Sequence, residues 1–295
     1  MQKPHSSSAR GAIILSMCIF STIGLLRRYI NLPSGTIALS RAFIGSVFLL
    51  LLLLIRRRKP DFTALRKNAL PLLLSGAALG FNWIALFESY RYTTVATATL
   101  CYYTAPILVI LFSPLLFGER LTKRKCLCVL SAIVGIVLVS GVLQTGLSSL
   151  LELEGVLWGL GAAVLYATVV VLNKKTAGVD TMSRTICQLI ISAAMLMVYT
   201  LFTEFPLSAP PTTQELWLLA VAGILHTGIA YALYFGAIGN LTAQTAALYS
   251  YLDPILAIIL SAVLLHEPME LTAILGAVLI LGAAIIADYP KKDPA

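Results

Sequence analysis

The chain has 295 residues, of which 59% are hydrophobic and only 12% charged, with a mean hydropathy of +0.91. Soluble domains carry about 25% charged residues, so a soluble enzyme or binding module is excluded. The formal net charge of +8 reads as membrane topology rather than as a nucleic-acid or acidic-partner surface, and no nucleic acid is expected as a partner.

Uncharged runs follow one another at the roughly 17–25 residues that a bilayer crossing needs. The predicted helices are residues 11–26, 36–55, 69–88, 93–117, 126–143, 155–173, 182–202, 216–237, 243–265 and 271–288. The first follows Lys3 and Arg10 and ends at Arg27-Arg28 without a small-residue cleavage site, so it is expected to be a retained helix and not a secretory signal. The second contains Arg41 and the third ends at Glu88; the fourth carries Pro106 and the ninth Asp253-Pro254. Between the eighth and ninth, Gly239 and Asn240 are expected to turn the chain. With the N-terminus inside, 17 of the 21 basic residues fall in inner loops. Both termini are therefore expected in the cytoplasm of a multi-pass protein of the cell inner (plasma) membrane.

The fourth and ninth helices are related. Thr97–Glu119 and Thr245–Glu267 align without a gap at an offset of 148, with 11 identities in 23 positions. At the same offset Trp83 and Phe87 align with Tyr231 and Phe235. The predicted organisation is a five-helix repeat over residues 1–143, an external linker over 144–154, and a second repeat over 155–295. Five is odd, so the second repeat enters the membrane from the opposite side. The fold class is thus an all-α integral membrane protein with ten transmembrane helices as two inverted five-helix repeats.

Small residues at every fourth position, such as Gly155, Gly159, Ala163 and Ala167, are expected to pack helices closely. Cys126 and Cys128, one residue apart, lack metal-site partners, the histidines (His5, His226, His266) do not cluster by sequence, and no nucleophile or phosphate-loop motif stands out. No metal, cofactor or catalytic residue is expected.

A twofold relation would turn equivalent positions toward one central cavity. Tyr103/Tyr251 and Trp83/Tyr231 are aromatic at both members of a pair, with Asn82, Tyr102, Tyr249 and Gln244 as further candidates. Pro106 and Pro254, three residues after the paired tyrosines, remove a helical hydrogen bond and can open the backbone there. Such a box suits an amphipathic or cationic solute; the rival is helix packing or interfacial anchoring. An ionised carboxylate midway along a helix costs about 2.5–3.5 kcal/mol, so Asp253 needs a reason. It either cycles a proton, binds a substrate ammonium, or caps the break at Pro254. Arg41 and Glu88 reach the same depth and could pair as an outer gate; the rival is a local Glu88–Arg91 pair. Glu119 and Glu267 are read as helix end-caps.

The two segments Ala105-Pro106-Ile107…Gly118-Glu119 and Asp253-Pro254-Ile255…His266-Glu267, within a duplicated ten-helix chain, resemble the EamA-type exporters of the drug/metabolite transporter superfamily. That family usually has Gly where this chain has His266. The resemblance runs over residues 10–288. It implies export of amino acids, other small metabolites or drugs from the bacterial cytoplasm. The expected function is a secondary transporter that exports a small organic metabolite, an amino acid or similar amphipathic or cationic solute, by alternating access. The alternatives are a channel-like facilitator, a lipid flippase or a membrane enzyme. Expected partners are the solute, the lipid bilayer and, as candidate coupling ion, a proton; the oligomeric state is not indicated.

Overall fold

The computed structural model describes residues 6–57, 60–117, 122–140, 150–176, 178–238, 240–241 and 243–288. Glu119, most of the predicted linker and the outermost terminal residues lie outside the described residues, as does the Gln244 side chain. Every regular element among the described residues is helical: α1 Ser6–Phe20, α2 Ile23–Arg28, α3 Ser34–Ile55, α4 Phe62–Lys67, α5 Ala69–Tyr92, α6 Val95–Tyr102, α7 Ala105–Phe117 and α8 Lys123–Val139. The second half holds α9 Leu150–Lys175, α10 Thr181–Thr203, α11 Thr213–Gly223, α12 Ala230–Ile238, α13 Ala243–Ser250, α14 Leu252–Leu264 and α15 Leu271–Asp288. A π-helical segment, Ile224–Ile229, joins α11 to α12.

Helix occupies each of the ten predicted segments. Among the described residues, seven stretches are long and apolar enough to cross a membrane, from Ser7–Arg28 to Thr213–Ile238. The remainder are shorter. Leu248–Leu264 and Leu271–Ala287 are apolar, and α8 opens on Lys123, Arg124 and Lys125. Apolar side chains such as Ile55, Phe202 and Val278 face outward, as expected where lipid is the solvent.

Local chemistry explains where helices start and break. Thr94 accepts from Thr97 N–H, Asp180 from Ser183 N–H, and Thr212 with Glu215 forms a capping box. The start of α3 has no cap of its own. Instead the Glu204 carboxylate, just past α10, accepts from Gly35 N–H, Thr36 N–H and the Thr36 hydroxyl at 2.9, 2.7 and 2.8 Å. Between α1 and α2, Ser21 and Thr22 turn their hydroxyls back onto the Cys18 and Ile19 carbonyls, a competition that bends helices. The chain also breaks at Tyr103-Thr104, before Pro106, and at Tyr251, before Pro254. The two breaks are equivalent in the duplication and follow from the missing proline N–H.

Packing exchanges the halves. In the first half α5 lies along α9 of the second; in the second half α12 lies along α1 of the first. Each contact contains an equivalent buried hydrogen bond: Asn82 Nδ2 donates to the Ala162 carbonyl at 2.6 Å, and Ser16 Oγ donates to the Ala230 carbonyl at 2.8 Å; Ser89 Oγ adds a second to the α5–α9 contact, to the Gly155 carbonyl at 2.7 Å. Asn82 and Ala230 are 148 apart, Ser16 and Ala162 are 146 apart, so the same pairing is made with the donor on opposite partners. Such bonds contribute about 0.6–2 kcal/mol each within a bilayer. The small-residue ridges act as the sequence suggested: a Cβ on Gly159 would sit 2.8 Å from Cys101 Cβ, and one on Gly135 2.9 Å from the Gly276 carbonyl.

Candidate functional site: a cavity between the two halves

A cavity of about 540 Å³ runs between the halves, within the range of small-molecule sites. At one end it is lined by Arg41, Trp83, Tyr90 and Thr99. At the other it reaches the helix ends at Asn173, Thr181, Arg184 and Ile238. Its middle is formed by the two broken helices, which set backbone turns rather than continuous helix at Tyr103 and Tyr251.

Asp253 lies in the first turn of α14 and lines this cavity. Its Oδ2 accepts a 2.5 Å hydrogen bond from the Tyr103 hydroxyl of the opposite half. The N-cap position of α14 is Tyr251, and no side-chain cap is made there. Around Asp253 stand aromatic rings. Tyr102 meets Tyr103 edge-on at 5.7 Å and Tyr166 at 5.4 Å; Tyr231 meets Phe20 at 5.4 Å and Phe235 at 5.6 Å. The geometry can hold an organic cation by stacking and by its carboxylate.

Arg41 is 5% exposed, on α3. Its guanidinium carbon lies 4.1 Å from the centre of the Trp83 ring, and its Nε donates to Thr227 Oγ1 at 2.9 Å. A desolvated cation–π contact contributes about 2 kcal/mol and a charged hydrogen bond about 1.5–3, which together suffice to offset the ~2.5–3.5 kcal/mol cost of an arginine in the hydrocarbon. Thr227 belongs to the π-helical segment, where its hydroxyl donates to the Ala222 carbonyl at 3.2 Å. The neighbouring His226 Nδ1 donates to the Val221 carbonyl at 3.3 Å, and its Nε2 sits 2.9 Å from the Thr22 hydroxyl at the break in helix one.

Of the residues singled out by sequence, Tyr103, Tyr251, Trp83, Tyr231, Tyr102, Asp253, Arg41 and Pro106 line the cavity. Pro254 is buried behind it. Asn82 is fully buried in the α5–α9 contact. Tyr249 packs instead with Ile13, Met17 and Ala237, because it projects from α13 toward α1 and not inward. Arg41 and Glu88 are not paired: Glu88 binds Arg91 at 2.9 Å, one helical turn away on the same helix. Equal depth brought the two charges level but not face to face. Glu267 is more than a cap of its own helix. It accepts from Arg28 at 2.6 Å and from Val95 N–H at 2.8 Å. The cavity also holds Tyr90, Tyr166, Tyr234 and Phe235, which the sequence reading did not select. An offset of 146 between helices one and six aligns Phe20 with Tyr166, a signal that could have found both. Among the described residues no cluster of His, Cys, Asp or Glu could hold a metal.

Helical throughout its described residues, with stretches able to cross a bilayer and a cavity between its halves, the chain has the architecture of a multi-pass membrane transporter. The family model of the EamA-like transporter family matches it twice, over residues 9–141 and 153–287, and the chain belongs to that family. It is 30% identical over 294 residues to the uncharacterized transporter YxxF of Bacillus subtilis, covering 99% of this chain and 93% of that one. It is 26% identical over 280 residues to an uncharacterized transporter of Archaeoglobus fulgidus, covering 94% of each. At 23% over 290 residues it is similar to the S-adenosylmethionine uptake transporter of Rickettsia bellii, covering 96% of this chain and 94% of that one. A solved crystal structure shares the fold, with a TM-score of 0.64 at 23% identity, covering 96% of this chain and 98% of that one. All three sequence relatives are named as transporters.

Proposed function

We propose that this chain is a secondary transporter that exports a small organic solute across the plasma membrane by alternating access. The reading includes ten membrane-crossing helices in two inverted repeats, 1–143 and 155–295, joined outside by 144–154, with both termini in the cytoplasm. Support for the repeats comes from the 148-residue offset, the two family matches and the exchanged α5–α9 and α12–α1 contacts.

The observation that carries the function is the Tyr103–Asp253 hydrogen bond, one partner from each half, inside an aromatic-lined cavity. An amphipathic solute with an ammonium or similar cationic group fits between the tyrosines and the carboxylate. Asp253 is then its counter-ion, or the site of a proton that exchanges with it.

The cavity mouth at Asn173, Thr181 and Arg184 lies beside Lys174 and Lys175, on the basic and hence cytoplasmic side. Closure of the far end is assigned to the close packing of Gly24 on Val95 and to the Arg28–Glu267 ion pair. In this reading the cavity communicates with one side at a time, as alternating access requires and a channel-like facilitator does not. A relative named for uptake makes import the rival direction. Counterflow decides both points: proteoliposomes loaded with one unlabelled cationic or zwitterionic solute at a time should transiently accumulate the labelled solute. Flux that neither saturates nor exchanges would contradict a carrier.

A further inference from the structure

We propose that Arg41 is a binding site for a compact monoanionic group of the solute, such as a carboxylate, and that Thr227 is its positioning residue. The inference deepens the transport reading above and rests on it for the role of the cavity.

Arg41 lines the cavity and is otherwise buried in protein. Its Nε is used by Thr227 and its flat face by Trp83. Among the described residues its two terminal nitrogens make no hydrogen bond and are not among the occluded polar atoms, so they point at the cavity space. An arginine presents its terminal N–H groups as a fork matched to a carboxylate. Arg41 and Asp253 share the cavity but form no ion pair. If the cavity took only cations, a fixed guanidinium there would repel them, and a leucine would be cheaper in the hydrocarbon. Two opposite charges left apart in one aromatic chamber fit a solute that brings both countercharges.

The orientation of Arg41 depends on the π-helical register. The Thr227 hydroxyl donates to the carbonyl five residues back, Ala222, and therefore has its lone pairs free for Arg41 Nε. Thr227 reaches helix α3 only because Gly45, one turn past Arg41, has no side chain: a Cβ there would lie 2.4 Å from Thr227 Cγ2. Without the hydroxyl the guanidinium loses its only hydrogen bond among the described residues, and with it the pose over Trp83.

The test uses the full chain with Trp158 and Trp217 changed to Phe; both are exposed, and Trp83 then reports alone. Sodium benzoate should give a saturable change in Trp83 fluorescence beyond that of sodium chloride. Arg41→Gln should abolish it. Thr227→Val should weaken it about tenfold, the loss expected for one hydrogen bond to a charged group, and Thr227→Ser should restore it. Benzylamine, which carries the same ring without the anion, should still bind to Arg41→Gln, as tightly or more so, which also shows that the variant is folded. Benzoate binding that survives Arg41→Gln, or none in the parent protein, would overturn the proposal. Loss of benzylamine binding in the parent protein would instead count against the cationic site at Asp253.

Discussion

Arg28, at the end of α2, and Glu267, beyond α14, form a 2.6 Å ion pair although they are 239 residues apart in the chain. The other Glu267 oxygen accepts from Val95 N–H at 2.8 Å and from the Ser261 hydroxyl, and Arg28 also donates to the Thr93 carbonyl at 2.8 Å. One carboxylate thus ties helices one, four and nine together. The turn that aims it is made by His266, whose φ is +53°. Glycine favours this left-handed region, but His adopts it more readily than most residues.

If this knot holds the outer end shut, weakening it opens that end. The pair is partly solvated, so it contributes only about 0.2–1 kcal/mol beyond the Val95 bond. Glu267→Gln is therefore expected to raise labelling of a cysteine at cavity residue Ser250, applied from outside, by about two- to fivefold. The charge-swapped pair Arg28→Glu with Glu267→Arg should restore part of the barrier. Unchanged labelling in Glu267→Gln would remove the knot from gating.

Asp253→Asn separates three roles. A substrate-ammonium ligand predicts weaker binding of benzylamine by about 1.5–3 kcal/mol, the loss of one charge-assisted bond. A proton carrier predicts intact binding and exchange with loss of accumulation driven by a pH gradient. A helix cap predicts near-normal behaviour in both, since Asn caps nearly as well as Asp.

Gly45→Ala should destabilise the protein. The new methyl would meet Thr227 side-chain atoms at 2.4 and 2.7 Å, and such overpacking costs about 1–3 kcal/mol. The thermal midpoint in detergent, followed by size-exclusion recovery, is expected to fall by several degrees. A wild-type midpoint would mean that α3 and the π segment can part without cost.

Alkaline phosphatase fused after residue 148 should be active in the periplasm, and fused after residue 60 almost inactive. The reverse pattern would overturn the orientation and with it the assignment of the cavity mouth to the cytoplasm.

Much of this was legible before any coordinates. The 148-residue offset brought out Tyr103, Tyr251, Trp83 and Tyr231, all of which line the cavity, because a duplicated chain encodes its central site twice. Pro106 and Pro254 marked the breaks, because a missing N–H is a property of the residue itself. What stayed hidden depends on the direction in which a side chain points. Hydropathy gives depth along a helix, so Arg41 and Glu88 came out level, but Arg41 turns to Thr227 and Glu88 to Arg91. Tyr249 sits two residues from Tyr251 and faces helix one instead. Tyr166 and Phe20 follow a different offset from helices four and nine, so the repeat alignment passed them by. Of the partners of Glu267, Arg28 and Val95 are remote in sequence, and no local pattern announces them.

The central claim is that the cavity between the halves is a solute pathway open to the cytoplasm and shut to the outside. Ser250→Cys, in a chain with the five native cysteines replaced, tests it with a membrane-impermeant thiol reagent on oriented vesicles. Inside-out vesicles should label rapidly and right-side-out vesicles slowly, with benzylamine slowing the reaction in both. Equal labelling from the two faces, faster labelling from outside, or no labelling from either would contradict the account.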